Sequence, residues 1–352
     1  MTRAVEKNSA SPPAVSEDQR ARVMSQAQGA LSLFVAFIGV ANHLFEVLAK
    51  LGQASVAELA AASAMDAGYL QRWCEAAYAN GYLDESQGRY TLTDLGQAFR
   101  PDLPGNLMPF AVQSVLSAHM AERATTFMRS GERPGEKVLA ERATILPWFG
   151  PMLEAMFGGL FAQQILPNVP VYREVDARGG MVVDLGCGNG WYLRKLAAVF
   201  PRLRGMGLDG FDENIRQATQ QAQSEGVGDR LGFQAGDIYH YSVAQPVDLI
   251  AMNRALHHVW DEKDKVFAIL RDSLKPDGAV VIWEPNWPQE LSALRDASRR
   301  GMAFQNLSEH VQGNHFLRPQ DISAEFVKVG MTPSVYLFAN GNEAVVVGRK
   351  SA

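Results

Sequence analysis

Cysteine is scarce in this sequence of 352 residues, which contains only Cys74 and Cys187. The two cysteines lie in different regions of the chain, so the sequence offers no framework of disulfides. A low cysteine content is typical of proteins that work in a reducing compartment. We therefore expect a cytoplasmic protein.

An excess of basic residues is also missing. Lysine and arginine together number 33, against 38 aspartates and glutamates, which gives a formal net charge of −5. Binding to nucleic acids depends largely on contacts between basic side chains and phosphates. The charge balance therefore argues against a general nucleic-acid-binding protein, although it leaves a local basic patch open.

Long uninterrupted apolar segments are absent as well. Residues 1–20 mix Ser, Pro, Lys, Glu and Asp without the apolar core of a signal peptide, and we expect a disordered arm there. The most apolar segment, residues 30–51, is interrupted by Asn42, His43 and Glu46, which would be costly in lipid. This segment favours a buried helix over a membrane span, so we expect no membrane partner.

The most informative stretch runs from Met181 to Gly190 and reads Met-Val-Val-Asp-Leu-Gly-Cys-Gly-Asn-Gly. Apolar residues lead into Asp184, glycines then recur at every second position, and a helix-like segment follows. This order predicts a strand, a tight turn and a helix, in which glycine permits positive φ and close approach of a ligand. A second apolar segment ends at Asp209, about 20 residues later, where nucleotide-binding α/β units place a ribose-binding carboxylate.

The G-x-G-x-G spacing after Asp184 resembles motif I of class I S-adenosylmethionine-dependent methyltransferases, and differs from the G-x-G-x-x-G turn of NAD enzymes. Gly236-Asp237-Ile238 resembles the acidic turn of the same family, and residues 276–284 resemble its fifth strand. These matches cover about the last half of the chain. The resemblance implies that S-adenosylmethionine is bound by Asp184, Gly186, Gly188, Gly190, Asp209, Gly236, Asp237, Ile238 and Asn253.

Apolar β-forming segments alternate with helix-like segments in the second half of the chain, which predicts an α/β fold with a doubly wound, Rossmann-like sheet. We expect seven strands, mainly parallel, at residues 181–185, 205–208, 231–235, 247–252, 279–283, 334–338 and 344–348. Residues 171–352 are therefore predicted to form the S-adenosylmethionine-binding catalytic domain. Ligands of such sheets bind at the carboxyl ends of the strands.

Residues 55–94 predict a winged helix. Ser55 and Glu58 match a capping box, two helices follow, and Gln87-Gly88 separates two short strand-like segments. Small-molecule O-methyltransferases have a similar region and use it for dimerisation, so the resemblance implies a homodimer. Acidic residues outnumber basic ones in this region, which argues against nucleic acid as a partner. We assign residues 21–170 to a mostly helical winged-helix dimerisation and substrate-lid domain, whose apolar residues near 148–161 form either core packing or a roof over the substrate.

Four of the seven histidines follow expected strand ends. His257 and His258 come after the fourth strand, and His310 and His315 come after the fifth. Imidazoles are common ligands of zinc and iron, and three protein ligands with an open position are typical of catalytic metal sites. Adjacent ligands plus a later histidine resemble the metal-dependent 2-oxo acid C-methyltransferases. That resemblance implies zinc or iron on His257, His258 and His310, with His315 as the alternative third ligand.

The same resemblance implies methyl transfer to C3 of a 2-oxo acid, in secondary metabolism, through an enolate that the metal stabilises. In this interpretation His257, His258 and Arg254 are catalytic and Arg254 pairs with the substrate carboxylate, although a salt bridge within the protein would also explain this arginine. The base stays open among metal-bound hydroxide, His315 and Asp261. The alternative is a metal-free O-methyltransferase in which His257 or His258 is the general base. A third hypothesis is a regulator that binds S-adenosylmethionine and uses the winged helix on DNA.

Overall fold

A computed structural model describes residues 15–142, 144–242 and 245–350. The chain divides into two compact units, Met1–Phe99 and Arg100–Ala352. The sequence predicted this division near residue 170, and the structure corrects it. The helices between residues 100 and 170 belong to the second unit because they pack on its later helices and, near Phe161, on its sheet. The ring of Phe161, for example, stacks on that of Trp283 with centroids 6.0 Å apart.

The N-terminal unit consists of helices and one β-hairpin. Its elements are α1 (Glu17–Ala41), α2 (Leu44–Leu51), α3 (Val56–Ser63), α4 (Ala67–Ala79), β1 (Leu83–Ser86), β2 (Arg89–Leu92) and α5 (Asp94–Gln97). Helix α1 starts with a capping box, in which the Gln19 N–H donates to the Ser16 hydroxyl and the Ser16 N–H donates to the Gln19 side chain. This cap corrects the end of the predicted disordered arm, since residues 17–20 are helical. The rest of that prediction, residues 1–14, lies outside the described part of the chain.

Helix α1 ends before the polar residues that interrupt the apolar segment. His43, with a φ of 54°, separates it from α2. Among the described residues, α1 is the one helix long and apolar enough to cross a membrane by length and composition, and 22% of its most apolar window is buried within the chain. Core helices of soluble proteins meet the same criteria. The expected absence of a membrane partner and the cytoplasmic location therefore stay predictions.

The two signals that predicted the winged helix are both present. At α3, the Glu58 N–H donates to the Ser55 hydroxyl, and the Ser55 N–H donates to the Glu58 carboxylate at 2.8 Å. Strands β1 and β2 pair antiparallel across Gln87 and Gly88, whose φ values of 55° and 76° suit a two-residue hairpin turn. Dimerisation by this region and the absence of a nucleic-acid partner stay predictions.

The C-terminal unit begins with helices and continues as alternating strands and helices. Its elements are α6 (Met108–Ser130), α7 (Lys137–Ala140), α8 (Leu146–Leu160), α9 (Leu166–Asn168), α10 (Val171–Ala177), β3 (Met181–Leu185), α11 (Trp191–Val199), β4 (Arg204–Asp209), α12 (Asp212–Ser224), β5 (Leu231–Ala235), β6 (Val247–Asn253), α13 (Lys263–Asp272), β7 (Leu274–Pro285), α14 (Arg300–Val311), α15 (Pro319–Lys328), β8 (Met331–Phe338) and β9 (Glu343–Lys350).

The seven strands β3–β9 form one sheet in the order β5-β4-β3-β6-β7-β9-β8. The first five strands in this order run parallel, and β9 is antiparallel to both β7 and β8. The predicted α/β class and the mainly parallel seven-stranded sheet are confirmed. Strand order reverses between β3 and β6, and ligands of open α/β sheets bind beside the carboxyl ends of the strands at such a switch point.

The central strands are buried on both faces. In β6, Leu249 and Ala251 face one apolar cluster while Ile250 and Met252 face the other. Helices cover both faces, so the central strands read in sequence as continuous apolar segments without polar alternation. The sheet is thereby fixed firmly enough to hold the loops at its carboxyl edge in defined positions.

Candidate functional site

The glycine-rich turn follows β3 at the switch point of the sheet. The backbone N–H groups of Gly186 and Cys187 both donate to the carbonyl of Leu208, at 2.8 and 3.0 Å. Gly188 lies beyond them with a φ of 52° and donates its N–H to the Asp209 carboxylate at 2.9 Å. The turn therefore joins the ends of β3 and β4 and presents its backbone to a cavity.

Asp184 lies beneath this turn and is almost fully buried. Its carboxylate accepts a hydrogen bond from the side-chain amide of Asn253, at the end of β6, at 2.9 Å. Burial raises the pKa of Asp184 to about 7, against the hydrogen bond from Asn253. The predicted cofactor residues Asp184 and Asn253 are thus brought together from two neighbouring strands.

Asp209 ends β4 and organises the loop after it. One of its carboxylate oxygens accepts from Gly188, and the other accepts from the backbone of Phe211 and the side chain of Asn214. A carboxylate fixed in this way by backbone and amide donors suits hydrogen bonding to vicinal hydroxyls of a ribose. Phe211 and Asn214 also line the cavity, and sequence analysis missed both.

The predicted acidic turn after β5 lines the same cavity through Gly236, Asp237 and Ile238. Asp237 accepts from the Tyr239 N–H at 2.9 Å and contacts a ring nitrogen of His240 at 2.8 Å. Both contacts lower the pKa of Asp237, the backbone hydrogen bond most, so it is a carboxylate available to an exocyclic amine.

Gly190 is the exception among the predicted cofactor residues, because it does not line the cavity. It has a φ of 73° and lies at the start of α11, where a Cβ would come within 2.6 Å of the Phe233 ring and 2.9 Å of Ala218. The structure therefore corrects its role: this glycine permits close packing of α11 and does not face a ligand. Asn189, beside it, lines the cavity and was not predicted.

The cavity has a volume of about 510 Å³ and extends from the glycine turn to a second compartment near His257. Helices α6 and α8 supply the apolar wall of this compartment, formed by Leu116, Met120, Phe149, Met152, Leu153, Met156 and Phe157. Sequence analysis left two roles open for the apolar residues near 148–161, core packing or a roof over the substrate. Phe149, Met152, Met156 and Phe157 line the cavity, as the second role requires, whereas Phe161 packs in the core.

His257 lies at the inner end of the second compartment, just after β6, and is buried. Its Nδ1 is 2.7 Å from the Glu284 carboxylate of β7, which also accepts from the His257 N–H. Its Nε2 points the other way and lies 3.6 Å from a Glu309 oxygen. Burial disfavours charge on this ring, but Glu284 and Glu309 outweigh that effect and raise the pKa of His257 to about 10. Both ring nitrogens of His257 therefore face carboxylates.

His258 stands beside His257, with ring centroids 4.2 Å apart. Its Nδ1 has two polar neighbours at 2.9 Å, a carboxylate oxygen of Glu136 and the side-chain nitrogen of Asn314. The two adjacent histidines therefore differ in their surroundings, since His257 is buried and His258 is partly exposed.

The third member of this cluster is Glu309, and this corrects the prediction of His310. His257, His258 and Glu309 each offer a ligand atom within 4.8 Å of the others. His310, one residue further along α14, is exposed and does not line the cavity. A helix turns by about 100° per residue, so neighbouring residues face different directions. His315, the alternative ligand, is also exposed.

A pattern in the sequence could have identified Glu309. Gln305, Ser308, Glu309 and Gln312 line the cavity together, and their spacing is that of one helix face. His310 falls outside that spacing. Asp261, a candidate base, is exposed and absent from the lining of the cavity.

Arg254 lines the cavity, but its guanidinium is already paired. It donates to the Glu343 carboxylate at 2.7 Å, and its central carbon lies 4.0 Å from the centroid of the Phe157 ring. The same Glu343 oxygen accepts from the Trp283 indole. The geometry favours the salt bridge that sequence analysis held as the alternative, and corrects the assignment of Arg254 as a catalytic partner of the substrate.

The chemistry of the cluster suits a metal cation. Two imidazoles and one carboxylate match the ligand sets of both zinc and non-haem iron. Of the described residues that line the cavity, Arg254 is the one lysine or arginine, and Glu343 neutralises it. Glu136, Glu284 and Glu309 therefore surround the histidines with a surplus of negative charge that a bound cation would balance.

Comparisons with known proteins identify the domain that contains the glycine-rich turn. Residues 182–278 match a family model described as "Methyltransferase domain". These residues are a methyltransferase domain. It includes the glycine turn, Asp209, Asp237 and the histidine pair.

Relatives and solved structures extend the likeness. A trans-aconitate 2-methyltransferase from Streptomyces avermitilis is 36% identical over 121 residues. The matched region is 34% of this chain and 44% of that protein, so this chain spans less than half of the length of that relative. An O-methyltransferase family protein from Burkholderia thailandensis has a TM-score of 0.70 at 16% identity, covering 97% of this chain and 99% of that one. Human N-acetylserotonin methyltransferase, solved with S-adenosylmethionine, has a TM-score of 0.69 at 18% identity, covering 97% and 100%. The methyltransferase domain thus lies within an O-methyltransferase-like architecture.

Proposed function

We propose that this protein transfers the methyl group of S-adenosylmethionine to C3 of a 2-oxo acid, with the help of zinc or iron on His257, His258 and Glu309. The cofactor half of the proposal is supported by the domain match and by the human relative solved with S-adenosylmethionine. In this proposal Gly186 and Gly188 lie against the cofactor, Asp209 accepts from its ribose hydroxyls, and Asp237 accepts from its adenine amine.

One observation carries the metal half of the proposal. His257 has its Nδ1 engaged by the buried Glu284, which turns Nε2 towards Glu309 and the neighbouring His258. A carboxylate on the far nitrogen of a ligand histidine is the usual support of a metal site, because it fixes the ring and raises its basicity. Glu284 also accepts from the His257 backbone, so the support is held at two points.

These positions suggest a role for each group of residues that lines the cavity. A metal ion held there would act as a Lewis acid towards the keto and carboxylate oxygens of a 2-oxo acid, making its C3 proton easier to remove. Glu309 and the two histidines would hold this ion, and the apolar wall of α6 and α8 would contact the side chain of the substrate. Asp184 and Asn253 brace the glycine turn between the cofactor and this compartment. The enclosure limits water at the site of methyl transfer.

Metal content tests the proposal first. We would measure zinc and iron in purified wild-type protein and in His258→Ala, Glu309→Ala and His310→Ala. About one equivalent in the wild type and in His310→Ala, with loss in the other two variants, is the expected result. His310→Ala is the matched control because it changes the next residue of the same helix. Equal metal content in Glu309→Ala and wild type would exclude the proposed third ligand.

Activity tests the reaction. The protein would be incubated with S-adenosylmethionine and a panel of aliphatic, aromatic and guanidino 2-oxo acids, with and without a chelator, and products would be identified by mass and NMR. We expect a 3-methyl-2-oxo acid whose formation stops with the chelator and returns with added metal. Methylation of hydroxyl acceptors that continues in the chelator would contradict the proposal.

That last outcome defines the second candidate, a metal-free O-methyltransferase of small molecules. It is favoured by the His257–Glu284 pair, since a carboxylate on Nδ1 also orients a histidine that takes a hydroxyl proton. The fold likeness to the Burkholderia thailandensis O-methyltransferase family protein is compatible with it. In that case Glu284→Ala should abolish activity, whereas Glu309→Ala should leave S-adenosylmethionine binding and fold intact.

We further propose a cytoplasmic homodimer that acts in secondary metabolism. The apolar side chains of Val23, Met24, Leu31 and Ile38 on α1 are exposed in the single chain, which suits a helix that a second copy covers. Light scattering without detergent should give twice the mass of the chain. A monomer, or a protein that needs detergent to stay in solution, would contradict the dimer.

A further inference from the structure

Glu136 reaches the histidine cluster from a distant part of the chain. It directly precedes α7, lines the cavity, and places a carboxylate oxygen 2.9 Å from Nδ1 of His258. A carboxylate at this distance from a ring nitrogen accepts a hydrogen bond from it. Nδ1 of His258 therefore faces an acceptor that has no proton to give.

The second neighbour of the same nitrogen has the opposite requirement. The side-chain nitrogen of Asn314 also lies 2.9 Å from Nδ1 of His258, and an amide nitrogen can only donate. A neutral imidazole carries its proton on one ring nitrogen alone. Glu136 is satisfied when that proton is on Nδ1, and Asn314 is satisfied when it is on Nε2. Only the first form leaves a lone pair on Nε2 for a metal ion.

The segment that carries Glu136 is fixed on its outer side. The buried His119 of α6 contacts the Val138 carbonyl through Nε2 at 2.9 Å and accepts from Arg142 through Nδ1 at 3.1 Å. Val138 is fully buried, and Arg123 of α6 donates to Glu141 at 2.7 Å. These contacts hold α7 against α6, so Glu136 is presented to His258 by an anchored segment.

We propose that Glu136 is a positioning residue that selects the form of His258 with its proton on Nδ1, and thereby presents Nε2 as a ligand. Asn314 favours the other form, so the competition between the two neighbours decides whether His258 can bind metal. The inference rests on the metal site proposed above. The role of Glu136 is an addition to that site, because Glu136 is not one of the three proposed ligands.

Metal affinity gives one test. Zinc affinity would be measured by competition with a chelating dye in wild type, Glu136→Ala, Glu136→Gln and Glu141→Ala. Loss of a supporting carboxylate weakens metal sites by about 10- to 100-fold. Because the Glu136 side chain is 43% exposed, we expect about 10-fold weaker binding in Glu136→Ala and a smaller loss in Glu136→Gln, whose amide oxygen still accepts.

Glu141→Ala is the matched control, since it removes the outer Arg123 contact of the same segment and does not touch the cavity. It should bind zinc within about twofold of wild type, because an exposed ion pair adds only about 0–1 kcal/mol and the buried Val138 and its contact with His119 still anchor the segment. All variants should bind S-adenosylhomocysteine like wild type. Equal zinc affinity in Glu136→Ala and wild type, or an equal loss in Glu141→Ala, would overturn the proposal.

A second measurement does not depend on metal. The ring nitrogens of ¹⁵N-labelled histidine would be observed by NMR in metal-free protein at alkaline pH, with His258 assigned from His258→Gln. We expect the proton on Nδ1 in wild type and in Asn314→Ala, and on Nε2 in Glu136→Ala. If wild type binds no metal but shows this pattern, the proposed metal function fails and the role of Glu136 stands. A wild-type His258 with its proton on Nε2 overturns the inference whatever the metal content.

Discussion

Gly188 and Gly190 are two glycines of one turn, and alanine substitution should separate their roles. Both have positive φ, of 52° and 73°, so an alanine at either position is strained. A Cβ on Gly188 meets nothing within 4 Å, and the residue lines the cavity. A Cβ on Gly190 would lie 2.6 Å from the Phe233 ring and 2.9 Å from the Ala218 Cβ.

The magnitudes follow from this difference. A left-handed backbone conformation costs an alanine about 1–2 kcal/mol, which both variants share. Overpacking costs Gly190→Ala about 1–3 kcal/mol more, because the nearest atoms belong to a ring and to a helix. Gly188→Ala should therefore lower the free energy of unfolding by about 1–2 kcal/mol, and Gly190→Ala by about 2–5 kcal/mol. Affinity for the cofactor should follow the reverse order, since only the Gly188 methyl enters the ligand space.

Urea unfolding followed by circular dichroism, and calorimetric titration with S-adenosylhomocysteine, measure the two effects. We expect Gly188→Ala to bind the product at least about 10-fold more weakly, a loss of about 1.4 kcal/mol. Gly190→Ala should bind it like wild type at temperatures where the variant is folded. A Gly188→Ala protein that binds normally, or one that is less stable than Gly190→Ala, would refute the reasoning.

Three further predictions concern buried polar groups. Burial raises the pKa of Asp184 to about 7, so the wild type should lose stability as pH rises from about 4 through 7. Asp184→Asn should lack this loss, and its stability relative to wild type should grow from pH 5 to pH 8; urea midpoints that shift equally with pH in both proteins would contradict it. Burial raises the pKa of Cys74 to about 11 and that of Cys187 well above the usual range of a thiol. Both thiols should react with Ellman's reagent only after unfolding, and rapid labelling of the native protein would show the assignment wrong. Arg254→Ala leaves the Glu343 carboxylate buried without its cation and should lower the free energy of unfolding by about 3–5 kcal/mol. Adding Glu343→Gln should restore part of that loss, and a double variant as unstable as Arg254→Ala alone would argue against the ion pair.

Features encoded by neighbouring residues were predictable from the sequence. The capping box of Ser55 and Glu58 and the hairpin at Gln87-Gly88 follow from local chemistry, and the structure has both. The seven strands of the sheet were predicted because central strands buried on both faces read as apolar segments between helix-like ones. The division into domains was not predictable in this way. Whether the helices after Arg100 pack on the sheet depends on contacts such as that between Phe161 and Trp283, far apart in the chain.

In the candidate site, too, the residues that belong to contiguous motifs were predictable from the sequence. Asp184, Gly188 and Asp209 were identified because the turn and the strand end that carry them are contiguous motifs, and the structure lines one cavity with all three. The histidine pair was also visible as neighbours in sequence.

Glu309 and Glu136 were not identified as its partners, because they come from other elements of the chain. Helix phase places Glu309, and not His310, in the cluster, since one residue along a helix turns a side chain by about 100°. Glu136 comes from a segment before the sheet begins. Glu284 differs from these two, because its place at the end of a predicted strand made it a candidate partner of a ligand histidine in the sequence. The sequence by itself determined the turn, the strands and the adjacent histidines, whose geometry is set by a few consecutive residues. Only the tertiary structure decided which carboxylates surround those histidines, because that choice depends on packing between elements distant in the chain.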